Sequence, residues 1–212
     1  MRRKRGPAAP PGVTGWRGLL VCATLAFATG ASGNLVAQTA EKATDAGKLV
    51  VPDASDMRPK LRELLPQNQL VGKGRLTHWG FQVYEARLWA PPGFKPDALA
   101  SQAFALELDY LRDFAGTDIA ARSLLEMRRS ASISDAQAKA WMQEMLRVIP
   151  DVKKGDRVMG IHQPGNGVSF LVNGKPNGEI RDAGFANLFF GIWLSPKTSE
   201  PKLRSALLAG AL

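Results

Sequence analysis

The sequence predicts an α+β domain, an antiparallel β-sheet with helices packed on one face. Three observations carry this. The segments from Gln69 to Ala90, from Phe104 to Leu111 and from Val158 to Ile180 alternate apolar and polar residues and are rich in β-formers. Two of the connections are hairpin signals, Pro164-Gly165-Asn166-Gly167 and Asn173-Gly174. The order runs strands, helices, strands, helices, without the βαβ alternation of a parallel sheet.

The first 37 residues stand apart from that domain. Arg2, Arg3, Lys4, Arg5 and Arg17 form a positive leader with no acidic residue before Glu41, and Gly18 to Thr29 is an apolar run. Small residues follow at Ala31-Ser32-Gly33 and Val36-Ala37. This is the layout of a signal peptide, and the run is too short to span a bilayer comfortably. The expected organisation is a signal peptide over 1–37, a flexible tether over 38–48 and one domain over 49–212. The mature protein is then periplasmic or secreted, with no stable membrane span.

Removing the leader changes the charge. The chain has 28 Lys+Arg against 19 Asp+Glu, a net +9; without the five leading cations it has 23 against 19, a net +4. That is an ordinary solvated surface, and no basic run with interleaved aromatics follows, so nucleic acid is excluded as a partner. The single cysteine, Cys22, lies in the leader. The remaining domain therefore offers no disulfide, thiol nucleophile or thiolate metal site. A domain of this size buries roughly 70 % of its unfolded surface and needs no covalent staple.

Element by element, Leu49-Val50-Val51 reads as a short strand stopped by Pro52, and Met57 to Pro66 as a helical turn. Strands follow over Gln69–Trp79 and Phe81–Ala90, and Pro91-Pro92-Gly93 forces a turn. Gly72 and Gly74, inside a strand, mark a bulge or a close approach by another backbone or a ligand. In Phe104 to Leu111 the apolar face is Phe104, Leu106, Leu108 and Tyr110. Thr117 or Asp118 caps a helix to about Arg129 with Ile119, Ser123 and Met127 on its inner row. Ser134 and Gln137 have capping-box spacing for a second helix that buries Ala138, Trp141, Met142, Met145 and Val148 and ends at Pro150. Asp182 opens a third through Phe185, Leu188, Phe189 and Ile192. A fourth follows Ser199, with Pro201 in its first turn and Leu203, Leu207 and Leu208 inward.

Chemistry-bearing motifs are sparse. His78 and His162 lack a second ligand at metal-binding spacing, no Gly-x-Ser-x-Gly elbow is present, and Gly72-x-Gly74 lacks the third glycine of a dinucleotide site. No metal or cofactor is expected. His162, before a hairpin turn, reads as a surface or edge residue.

Three segments in order, LVGKGRLTHWGFQVYEARLWAP (70–91), FALELDYLRDFAGTDIAARSLLEM (104–127) and FANLFFGIWLSPKTSEPKLRSALLAG (185–210), resemble the chalcone isomerase-like family, specifically its small exported bacterial members. The resemblance covers most of the chain from about Leu49 and implies the same open-faced α+β layout, with a cleft between sheet and helices. In the plant isomerases of this family an arginine follows the pattern Leu-x-Gly-x-Gly-x-Arg and stabilises the phenolate. Here Leu70, Gly72 and Gly74 match, but Leu76 holds the arginine position and Arg75 lies one residue early. In a strand that shift sends the side chain to the opposite face unless a bulge at Gly74 restores it. The tyrosine and asparagine those enzymes place on the following helix have no counterpart between Ser132 and Met145. Chalcone cyclisation is therefore not expected.

The polar groups expected in the cleft are Arg75 or Thr77, Tyr84, Tyr110, Arg112 and Ser123; Arg112-Asp113 is alternatively a simple ion pair, and Ser123 a residue bonded to its own helix. Three functions stand open. The first is a non-catalytic binder of a small amphipathic ligand such as a fatty-acid-like carboxylate. The second is an isomerase or lyase on another small metabolite, with Arg75 or Arg112 as electrostatic catalyst. The third is a structural or assembly protein whose cleft is filled by Trp79, Trp89, Trp141 and Met145.

Overall fold

The computed structural model describes residues 56–211. The signal-peptide, tether and Leu49–Val51 expectations fall outside the described residues. Six strands form one antiparallel sheet in sequence order: β1 (Gln69–His78), β2 (Phe81–Ala90), β3 (Phe104–Tyr110), β4 (Arg157–Gln163), β5 (Gly167–Val172) and β6 (Lys175–Ile180). Five helices accompany it: α1 (Arg58–Leu64), α2 (Gly116–Ser130), α3 (Asp135–Val148), α4 (Ala183–Leu194) and α5 (Pro201–Leu207). A 3-10 segment at Pro96–Ser101, which the sequence reading missed, links β2 to β3.

Period-two alternation sorts the sheet into two faces. Pairing sets Leu88 beside Leu106 and Tyr84 beside Tyr110, then Leu106 beside Gly160 and Gly160 beside Phe170. This face packs under α4, whose Phe185, Phe189, Phe190 and Trp193 are all buried, and α2 and α3 close the layer. Ser134 and Asp182 cap α3 and α4 as their spacing predicts, each accepting from a backbone N–H three residues on. The start of α2 differs. It begins at Gly116 after Ala115, with no side-chain cap, because the carboxylate of Asp151 accepts from Gly116 N at 2.8 Å and substitutes for one.

Helices do not keep to one face. The row Met57, Leu61 and Leu65 of the first helix packs on Ala105, Met159, Ile161 and Leu171, which point away from α4. Beside this second, smaller core, Glu107 is buried and accepts from Trp89 Nε1 at 3.0 Å, with Arg87 3.7 Å away. Trp89 thus serves the reverse face.

Gly72 answers to the backbone of the last helix and Gly74 to side chains of the same helix. A Cβ on Gly72 would stand 2.3 Å from the carbonyl oxygen of Ala206, and one on Gly74 would stand 2.7 Å from Leu203 Cδ1. The helix α5 therefore lies directly on β1, and the chain beyond it is fastened by Gly210 N donating to Val71 O at 2.9 Å.

Two hairpins turn through central residues with positive φ, Asn173-Gly174 (48° and 77°) and Trp79-Gly80 (52° and 79°). That backbone suits Asn-Gly and disfavours a bulky first residue. Trp79 is 88 % exposed, contrary to the filled-cleft expectation, so little packing offsets the unfavourable φ. Trp79→Asn is expected to stabilise the domain by about 1 kcal/mol, read as a higher urea midpoint. An unchanged or lower midpoint would show that the indole contributes through the His78 ring 6.0 Å away.

Candidate functional site

Where β2 and β3 meet the helices, Tyr84 and Tyr110 are cross-strand neighbours with ring centroids 6.0 Å apart at 74°. Both are buried, and burial is the largest influence raising each phenol above its ordinary pKa, so both are protonated donors at neutral pH. Tyr84 Oη accepts from Trp193 Nε1 at 2.8 Å and keeps its own proton to give. Tyr110 is 4 % exposed, and among the described residues its hydroxyl has no hydrogen-bond partner. Its oxygen is not sealed from solvent, and the two tyrosines together present two phenol protons without a protein acceptor among the described residues, in a mainly apolar layer.

α2 supplies the neighbouring polar groups. Ser123 is buried but its Oγ donates to Ile119 O at 2.8 Å, the intrahelical bond its residue type favours. Glu126, three residues on and 8 % exposed, pairs with Arg122 at 2.7 Å and Arg129 at 3.5 Å. Glu200 and Glu126 bear on Tyr84 as negative charges and Arg122 as a positive one. Among the described residues Glu200 has no ion pair.

The other expected residues lie elsewhere. Register shifts occur between Leu70 and Gly72 and between Leu76 and Thr77, not at Gly74, so Arg75 stays opposite Glu85 on the reverse face. There it hydrogen-bonds Glu85, which also accepts from Arg87 at 3.0 Å, and this pairing holds the Glu85 carboxyl below its usual range. Thr77 is exposed at the end of β1. Arg112 is exposed and stacks over the Phe81 ring at 4.7 Å. It does not pair with Asp113, whose carboxylate takes Lys154 N at 2.9 Å and Lys153 Nζ at 3.1 Å. Of the six expected residues, Tyr84, Tyr110 and Ser123 come to the layer between sheet and helices.

His162 is also corrected, being buried rather than at the surface. It faces α4, stacked on Phe104 at 4.9 Å, with Nδ1 2.7 Å from Gln102 O. Burial pushes its pKa below the ordinary histidine value, against the opposing pull of that carbonyl, and its surroundings are those of a core residue. The alternation Val158, Gly160, His162 along β4 carried that signal. Glu126, three residues after Ser123, and Trp193, four after Phe189, were likewise readable as inward positions.

Elsewhere an open groove of about 720 Å³ runs between α3 and β6. Its polar groups are mutually engaged: Arg147 with Glu144 at 2.6 Å, Arg181 with Glu179 at 2.5 Å, and Trp141 Nε1 with Asp182 at 2.8 Å. Among the described residues no three His, Cys, Asp or Glu side chains gather to hold a metal ion, and no helix is long and apolar enough to cross a membrane.

Comparison with known proteins agrees with this architecture. An uncharacterized protein of Haemophilus influenzae is 27 % identical over 140 residues, 66 % of this chain and 67 % of its own length. The crystal structure of an Arabidopsis thaliana fatty-acid binding protein superposes with a TM-score of 0.54 at 10 % identity, covering 69 % of this chain and 89 % of that one, a likeness of fold. The model of the family described as chalcone isomerase-like matches residues 65–209, and with six antiparallel strands and the helical layer in place, the chain belongs to the chalcone isomerase-like family.

Proposed function

We propose that this protein is an exported, non-catalytic binder of a small amphipathic molecule, its polar end at Tyr84 and Tyr110 and its apolar part in the layer between the sheet and α2 and α4. The observation that carries the reading is the pair of phenol protons, on two buried tyrosines, not directed to any acceptor among the described residues. Apolar walls with a few placed polar groups are what such binding requires. The fold shared with a fatty-acid binding protein makes acyl chains the first ligands to try. Export rests on the basic, then apolar, then small-residue order of positions 1–37. The absence of turnover rests on the placement of Arg75 and Arg112 outside the layer and on phenols held as neutral donors, while Arg122, the cation that acts on Tyr84, is already paired with Glu126.

Native mass spectrometry of the chain incubated with laurate, lauryl alcohol and methyl laurate tests the reading. One retained molecule per chain, lost in the Tyr84→Phe/Tyr110→Phe double variant, is the expected result. Protein empty of all three would sink it and favour the structural role, to which the complete burial of Leu88, Phe104 and Phe190 is suited.

A further inference from the structure

We infer that the head group taken at Tyr84 and Tyr110 is an uncharged carbonyl, as in an ester, a ketone or an undissociated acid, and not a carboxylate anion. This rests on the ligand-binding reading above and adds the chemical class of the ligand.

The donor count sets the first part. Tyr84 has already accepted the Trp193 N–H, so one proton remains to it, and Tyr110 has one more. Two hydroxyl protons match the two lone pairs of one carbonyl oxygen. A carboxylate offers about four acceptor positions and loses far more hydration on burial, so two neutral donors under-serve it.

The charges facing the pair set the second part. Glu126 is buried on α2 and Glu200 precedes α5, both close enough to act on Tyr84. The cation that also acts there, Arg122, is 59 % exposed and already bonded to Glu126. Arg129 is bonded to Glu126 as well, so the cations beside Glu126 are already committed, and Glu200 has no ion pair among the described residues. Arg75 cannot correct this from the opposite face of the sheet, nor can Arg112 from above the Phe81 ring. A buried carboxylate needs a paired cation, and here the nearby arginines are already held by Glu126.

The test is calorimetric titration of the full chain at pH 8 with three ligands of one chain length: methyl laurate, undecyl methyl ketone and laurate. The ester and ketone are expected to bind at least about tenfold more tightly than laurate, and Tyr110→Phe to weaken the ketone by about fivefold. Laurate should recover affinity at pH 5, where part of it is undissociated. Laurate binding at pH 8 as tightly as the ketone would overturn the inference while leaving the binder intact. Ketone binding indifferent to Tyr110→Phe would remove the head group from the tyrosines and overturn it as well. No binding by any ligand would overturn the proposed function itself. Should Tyr110→Phe fail to fold, the wild-type comparison at pH 8 decides alone.

Discussion

Replacing Gly72 by alanine is expected to lower the unfolding free energy by about 3 kcal/mol, at the upper end of what one added methyl usually costs in a packed interior. The reason is what the methyl meets. It would stand 2.3 Å from Ala206 O, 2.4 Å from Leu207 O and 2.7 Å from Leu207 C, all of them backbone atoms that cannot swing aside. Relief requires α5 to lift from β1, which uncovers Leu203 and Leu207, both buried in the main core. It also strains the bond from Gly210 N to Val71 O. Gly191 is the matched control. A Cβ there has its nearest neighbour, Ser195 Cβ, at an ordinary 3.7 Å, and the position is helical. Gly191→Ala should therefore stabilise by about 0.5–1 kcal/mol through helix propensity. Urea unfolding of the two variants checks both signs; Gly72→Ala within 1 kcal/mol of wild type would mean that α5 is not seated as described.

The two glycines also show how far the sequence could be read. Their lack of side chains pointed to a bulge or a close approach by a backbone or a ligand, and only the fold could say that a bulge precedes Gly72 and that the visitor over both glycines is α5. The strands and most helix starts were legible because period-two alternation, Asn173-Gly174, and the caps Ser134 and Asp182 act over a few residues, and local physics decided them. The start of α2 was not, because its cap comes from Asp151, thirty-five residues away. The segment from Met57 to Pro66 read as a helical turn, and nothing local said which sheet face its buried Met57, Leu61 and Leu65 would cover. Site residues suffered most from this gap. The face of Arg75 follows from counting in a strand, and the count placed it opposite the cleft; only a bulge could reverse that, and the bulges formed at Leu70/Gly72 and Leu76/Thr77. Tyr84 and Tyr110 lay on the inward alternation of their strands, but that they would stand side by side depended on a register no single strand encodes.

Asp182→Ala is expected to cost about 2–3 kcal/mol, because one carboxylate performs two tasks that alanine abandons together. Oδ1 accepts from Phe185 N at 2.8 Å and caps α4, a contribution of about 1 kcal/mol. Oδ2 accepts from Trp141 Nε1 at 2.8 Å and ties α3 to the start of α4. The indole is 5 % exposed, so its N–H loses a partner it regains only where the neighbouring groove admits water. That loss accounts for the remaining 1–2 kcal/mol or so. Asp182→Ser separates the two tasks, since a hydroxyl still caps the helix and is too short to hold the indole; it should retain about 1 kcal/mol of what alanine loses. Trp193 and Tyr84 sit at the far end of α4, so their mutual hydrogen bond, and with it ligand uptake, should survive in both variants. Urea midpoints read the first effect and native mass spectrometry the second. An alanine variant as stable as the serine one would show that the cap contributes nothing, and loss of ligand uptake in a folded variant would show that α4 transmits disorder from its first turn to its last.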